Sequence, residues 1–261
     1  MKFDIYQVDA FADDVFKGNP AAVVPLEAWL PAELMQSIAQ ENNLSETAFL
    51  VPVENAYEIR WFTPAVEVDF CGHSTVAAAK IVFTALEPNS SAVNFKSASG
   101  PIVVKRQGEQ MALNGPAIRS ECVTVGDDVI ECLGVEPLQA YGSSVQDIVL
   151  VLPRQEDVLR QSALLSSKMD PQYRGVVVTA EGDDVDFVSR FFGIDIGVDE
   201  DPVTGSAHCQ LVPIWADRLG RTNFVAEQLS ARGGRINCVL EGDRVTLMAN
   251  AVVYMKGQIF T

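Results

Sequence analysis

The chain has 261 residues, 48% of them hydrophobic, enough for one large core or two smaller ones. Its 35 acidic and 19 basic side chains leave a formal net charge of −16, which argues against nucleic acid or an anionic membrane as partner, since both need a basic surface. The five cysteines are odd in number and include no C-x-x-C pair, so a disulfide framework or structural zinc is not expected, and a reducing cytoplasm fits. No stretch approaches the roughly 20 apolar residues of a membrane span. The start, Met1-Lys2-Phe3-Asp4, reads directly into a strand with no apolar signal core.

Residues 3–10 alternate as a strand, Gly18-Asn19-Pro20 turns the chain, and residues 21–24 form a second strand. Pro31 opens a helix over about 32–42. Residues 46–51 and 57–62 read as strands. After Gly72 an almost wholly apolar helix runs to about 85, and such a helix must be buried on most sides. Ser99-Gly100-Pro101 turns the chain into a strand over 102–105, and Leu113-Asn114-Gly115-Pro116 marks a boundary. Beyond it come a helix over 123–133, strands at 146–152 and 175–179 with a helix near 155–165 between them, and a strand over 186–192. A second buried helix spans 205–219, followed by strands near 224–230, 235–240 and 244–248 and a strand-rich tail. Strands, a glycine-led apolar helix and more strands thus occur twice, as in a diverged internal duplication.

Both histidines lie at these glycine-led helices, in Asp69-Phe70-Cys71-Gly72-His73-Ser74-Thr75 and in Asp201-Pro202-Val203-Thr204-Gly205-Ser206-Ala207-His208. Free backbone N–H groups and the positive dipole end make each helix start attractive to an anion. Gly72, Ser74, Gly205 and Ser206 are therefore candidate contacts for a small carboxylate ligand. Glu46 has small and apolar neighbours, which should raise its pKa toward that of a proton-transfer group; the alternative is a solvent-facing strand residue. His73 sits in a first helical turn, where the dipole should lower its pKa and keep it neutral; the alternative is a capping or packed histidine. Asp201 is a helix-start cap or a group that orients His73. His208 is expected to be structural. Cys71 is an activated thiol candidate, but its counterpart in the second copy, taken as Pro202, carries no thiol. Metal binding by Cys71, His73, His208 and Cys209 is disfavoured, because adjacent helical positions do not share a face. No phosphate-binding glycine loop calls for a nucleotide.

Several motifs together resemble the phenazine biosynthesis-like (PhzF) family: Val8-Asp9-Ala10-Phe11 with Gly18-Asn19-Pro20-Ala21-Ala22-Val23, Asn43-Leu44-Ser45-Glu46-Thr47-Ala48-Phe49, Arg60-Trp61-Phe62-Thr63-Pro64, Cys71-Gly72-His73-Ser74-Thr75, Ser99-Gly100-Pro101, and Asp201-Pro202-Val203-Thr204-Gly205-Ser206-Ala207. The resemblance implies the diaminopimelate-epimerase-like α+β fold. That is two similar lobes, 1–115 and 116–249, each a curved, mostly antiparallel sheet around a central helix, with a tail strand at about 250–261 returning to the first lobe and the active site between them. It implies an isomerase that shifts a proton on trans-2,3-dihydro-3-hydroxyanthranilate or a similar small cyclic acid, with no cofactor and no metal, as a cytoplasmic homodimer. Its acid/base glutamate matches Glu46, its histidine His73, its aspartate Asp201 and its serine Ser206. An amino-acid epimerase or racemase, and a non-catalytic binding protein of the same fold, are the alternatives.

Overall fold

The structure is a computed structural model that describes residues 1–194 and 199–261. It divides into two compact units, Met1–Asn114 with Met248–Thr261, and Gly115–Leu247. Among the described residues no helix is long and apolar enough to cross a membrane.

The first unit runs β1 (Lys2–Ala10), β2 (Asn19–Pro25), α1 (Ala32–Asn42), β3 (Glu46–Val53), β4 (Ala56–Phe62), β5 (Glu67–Val68), α2 (Gly72–Ile81), β6 (Ala92–Ser97), β7 (Gly100–Gln107) and β8 (Gln110–Pro116). The terminal strand Ala251–Phe260 pairs antiparallel with β1, which pairs in turn with β2. The ladder continues β2 parallel to β3, β3 antiparallel to β4, β4 antiparallel to β5 and parallel to β6, and β6 antiparallel to β7.

Helix α2 is buried almost all round, and Ala77, Ala78 and Ala79 are fully inaccessible. Small side chains let β1, β2, β3 and the terminal strand close around it. On the other side of these strands, Met35, Ile38 and Ala39 of α1 pack with Val24, Phe49, Val51 and Phe62. With helices on both faces, β2 and β3 lose the alternation of a half-exposed strand and read as continuous apolar runs. The predicted helix to residue 85 is α2 followed by one wider π turn, Val82–Leu86, whose Phe83 carbonyl accepts from the Arg106 guanidinium.

The second unit runs β9 (Ser120–Val123), α3 (Asp127–Leu133), β10 (Gln139–Ser143), β11 (Asp147–Val151), α4 (Gln155–Leu159), β12 (Gly175–Glu181), β13 (Phe187–Gly193), β14 (Glu200–Asp201), α5 (Gly205–Leu219), β15 (Asn223–Gln228), β16 (Gly234–Glu241) and β17 (Arg244–Ala249). Its pairings repeat those of the first unit: β11 parallel to β12, β12 antiparallel to β13, β13 antiparallel to β14 and parallel to β15, β15 antiparallel to β16. Each buried helix thus follows a two-residue strand and precedes a parallel return. The fold is α+β with two similar units, each a mostly antiparallel sheet around a central helix.

Three sequence readings change. The helix expected over 123–133 is strand to Val123 and helix only from Asp127. The helix expected over 155–165 breaks at Arg160 and resumes as a 3-10 turn, Ala163–Lys168; between them the buried Gln161 amide donates to the Leu133 and Asp157 carbonyls. Strands β6, β8, β9 and β10 and the two-residue β5 and β14 are not among the strands the sequence predicts, and the boundary residues 113–116 are the end of β8.

The turn before β2 is set by Gly18, at φ +63, where a Cβ would fall 2.1 Å from the Ala10 carbonyl oxygen. Gly18→Ala is expected to cost at least about 1–3 kcal/mol, read as a lower urea midpoint with an unchanged slope.

Candidate active site

The residues around Glu46 fold as they do for local reasons. Helix α1 ends where Asn43 adopts the left-handed conformation, at φ 50 and ψ 38, and donates its N–H to the Ala39 carbonyl. Asparagine is among the few residues that take this conformation at low cost. The Asn42 amide donates to Thr47 Oγ1 at 3.1 Å, and the Ser45 hydroxyl donates to Asn19 Oδ1 at 3.1 Å. Asn19 follows Gly18, so two sequence motifs meet here. Their joint effect is to aim Glu46, the first residue of β3, at the start of α2.

Cys71 is the N-cap of α2, with Gly72 first in the helix. Its sulfur accepts the Ser74 N–H and its carbonyl accepts the Thr75 hydroxyl at 2.6 Å. His73 Nε2 lies 2.8 Å from Glu46 Oε2. The contact is close but bent, and Oε2 is buried without a well-directed hydrogen bond. The Cys71 sulfur lies 3.5 Å from His73 Nδ1 and 3.9 Å from Nε2, beside the ring rather than in line with either nitrogen. One donor atom from each of Glu46, Cys71 and His73 falls within 4.8 Å of the other two.

Burial works against charge on all three groups, but it wins on only one. Burial raises the Glu46 carboxyl, yet the adjacent His73 charge and hydrogen bond bring it below its ordinary 4.5. Burial lowers the His73 imidazole, yet Cys71 and Glu46 hold it well above its ordinary 6.5. For Cys71 burial prevails and pushes the thiol up to about 11. A thiol of that kind keeps its proton near neutral pH, so Glu46 is the charge that holds His73. Both expected directions therefore reverse: Glu46 is lowered and His73 raised, because the groups gathered around each, Cys71 and Glu46 at the imidazole and His73 and Cys71 at the carboxyl, together outweigh burial. The resting pair is a carboxylate beside an imidazolium.

In the second unit, α5 begins at Gly205 with Thr204 as N-cap. Both helices start at glycine, so Thr204, not Pro202, is the counterpart of Cys71, and Ser206 that of His73. The Asp201 carboxylate accepts the Thr204 hydroxyl at 2.6 Å, and its carbonyl accepts the Gln228 amide at 2.7 Å. Gln228 also accepts the Thr204 N–H at 2.8 Å. Ser206 Oγ accepts from Arg174 Nη2 at 3.3 Å, and the same nitrogen donates to Asp147 Oδ2 at 2.9 Å. Asp147 is fully buried; burial raises its carboxyl, and Arg174 opposes that. Gly72, Ser74 and Gly205 sit in the first turns, as expected, but the Ser74 hydroxyl is sealed from solvent and unpartnered.

Arg174, Asp147 and Gln228 escaped the sequence reading. A charged residue within or beside an apolar strand, as in Gln146-Asp147-Ile148 and Arg174-Gly175-Val176, was the available signal.

His208 packs against Phe187 in the core, with Nδ1 2.8 Å from the Thr204 carbonyl oxygen. Burial lowers its pKa from 6.5 to about 4. The unfolded chain therefore binds this proton first as pH falls, and native stability is lost through the window from 6.5 down to about 4. The loss is about 3 kcal/mol from this group. Urea unfolding at pH 7 and pH 4 measures it, and His208→Gln should remove most of the difference.

The family described as "Phenazine biosynthesis-like protein" matches residues 8–257. A protein of Pseudomonas aeruginosa named as an uncharacterised isomerase is 45% identical over 259 residues, covering 99% of each chain. The crystal structure of a PhzF-family protein from Enterococcus faecalis superposes with a TM-score of 0.96 at 42% identity, over the whole of both chains. A predicted epimerase of Pseudomonas aeruginosa shares the fold at a TM-score of 0.74 and 22% identity, over 99% of each chain. A fold common to PhzF proteins and epimerases, with a near-complete family match, identifies this chain as a member of the phenazine biosynthesis-like family.

Proposed function

We propose that this protein is an isomerase that moves a proton between carbons of a small cyclic carboxylic acid, with Glu46 as acid/base. The observation that carries the reading is the half-buried Glu46 carboxylate, held ionised with its solvent-sealed Oε2 2.8 Å from His73 Nε2. An ionised carboxylate can take a proton from carbon, but its lowered pKa makes it a weaker base than a raised carboxyl, so the driving force comes from the charge stabilised beside it. The imidazolium of His73 then offsets the charge that develops on the ligand's oxygen or nitrogen substituent. After the shift, Glu46 returns the proton to another carbon on the same face. The N–H groups of Gly72 and His73 have no acceptor within α2 and suit the ligand carboxylate; Gly205 and Ser206 offer an equivalent set on α5. In this reading Asp201 acts through Thr204, by fixing the start of α5. The named isomerases among the relatives support the reaction class.

The epimerase alternative is less favoured. Two-base epimerisation needs one group on each face of the reacting carbon. Glu46 and Cys71 offer atoms within 4.8 Å of each other, so both reach a substrate from one side.

Reaction in deuterium oxide separates these readings. An isomerase should place deuterium, in part, at the carbon that receives the proton. An epimerase should exchange the original carbon and lose optical activity. Recovery of unlabelled ligand would leave binding alone and contradict the proposal.

The pH profile follows from the two shifts. Turnover needs Glu46 ionised and His73 protonated. kcat/KM should therefore be flat between about pH 4.5 and 6.5 at least, falling on the acid side only below 4.5 and on the alkaline side only above 6.5. A profile that rises through pH 6.5, as for a neutral histidine base, would contradict it.

A further inference from the structure

We infer that Glu46, Cys71 and His73 form a binding site for a zinc-class divalent cation, and that the bound ion shuts the enzyme off. The inhibitory part rests on the acid/base reading above; the binding part does not. Three observations carry it. First, the donor set is a thiol, an imidazole and a carboxylate, the ligands zinc takes in sites with one open position. Second, the atoms converge: Nε2 is 2.8 Å from Oε2 and 3.9 Å from Sγ, and the three residues' donors all lie within 4.8 Å of one another. Zinc bonds of about 2.0–2.3 Å place tetrahedral ligand atoms roughly 3–4 Å apart, so the triangle closes with shifts of about 1 Å or less. Third, the close neighbours that Glu46 Oε2 and the Cys71 sulfur share are atoms of His73, itself one of the three ligands, and Oε2 makes no further hydrogen bond, so an ion entering the triangle separates these three residues without breaking a side-chain contact to a residue outside the set.

The proton balance is fixed. A nitrogen and a carboxylate oxygen 2.8 Å apart share one proton, and the free Cys71 thiol carries another. Binding replaces both with bonds from Nε2, Oε2 and Sγ to the ion and releases both to solvent. No oxidant or reductant is needed. With Glu46 and His73 both bound to the metal, neither a base nor an imidazolium remains.

The test uses the full chain stripped with a chelator and titrated with Co²⁺, which reports thiolate ligation by a near-ultraviolet charge-transfer band. The band should saturate at one ion per chain with release of two protons. Cys71→Ser should abolish it, and Glu46→Gln should weaken Co²⁺ affinity at least tenfold. A Cys122→Ser/Cys132→Ser protein, lacking the more exposed thiols, should keep it. In wild-type protein, Zn²⁺ should move the ring nitrogen NMR signals of His73 and leave those of His208. No saturable band, a band that survives Cys71→Ser, or an unmoved His73 would overturn the site. Zn²⁺ that binds by these readouts yet leaves turnover intact would instead overturn the assignment of the chemistry to Glu46.

Discussion

Glu46→Gln is expected to lower turnover of the proposed small cyclic acid, with trans-2,3-dihydro-3-hydroxyanthranilate as the compound to assay, by roughly 10²- to 10⁴-fold, the usual worth of a positioned acid/base. The amide keeps the size of the side chain and can still face His73, but it cannot take a proton from carbon. Ligand affinity should change little, because the proposed carboxylate contacts are backbone N–H groups at helix starts rather than Glu46. Single-turnover kinetics alongside equilibrium binding separates the two effects. Near-normal turnover in the variant would remove Glu46 from the chemistry. The substitution should not unfold the first unit: it replaces a half-buried charge with a neutral group, and His73 then becomes free to lose its proton.

The largest effect on stability is expected in the second unit, from Phe187→Ala. The ring is fully buried and stacked on Trp215, with centroids 5.5 Å apart and planes 3° apart. It also meets Phe224 at 5.9 Å and His208 at 6.1 Å. Phe187 thus ties β13 to both α5 and β15. Removing it forfeits the burial and leaves a cavity lined by rings that cannot collapse into it, for about 3–5 kcal/mol. That is a third or more of the total stability of many domains, about 5–15 kcal/mol. Urea unfolding with an unchanged slope measures it, and a loss below about 1 kcal/mol would show that the aromatic cluster repacks.

The elements legible in the sequence were those whose burial repeats along the chain. Helices α2 and α5 carry small and apolar residues on every face, which only a central helix can do. Strands β2, β3, β11 and β12 appear as unbroken apolar runs because both of their faces are covered. Strand β6 was missed although its burial alternates, since Asn94 and Lys96 dilute the apolar signal. Strand β10 was missed because Gly142 and Ser143 read as turn residues.

At the site, the motifs named Glu46, Gly72 and His73, but not the sign of their charges. A local view saw apolar neighbours for Glu46 and a helix dipole for His73, and each argued for a neutral group. What no local pattern contains is the meeting of residues 27 positions apart, Glu46 with His73, alongside the nearer Cys71. The same holds for Arg174, which reaches Ser206 across 32 positions.

The coupling of Glu46 to His73 is the central claim, and nitrogen-15 NMR of the two histidine rings tests it most directly. In chelator-treated protein, His208 should stay neutral down to about pH 4 and serve as an internal reference. His73 should titrate well above 6.5 in wild type and fall clearly in Glu46→Gln, where the carboxylate charge is gone. A His73 that is already neutral at pH 6.5 in wild type, or whose titration is the same in both proteins, would contradict the account.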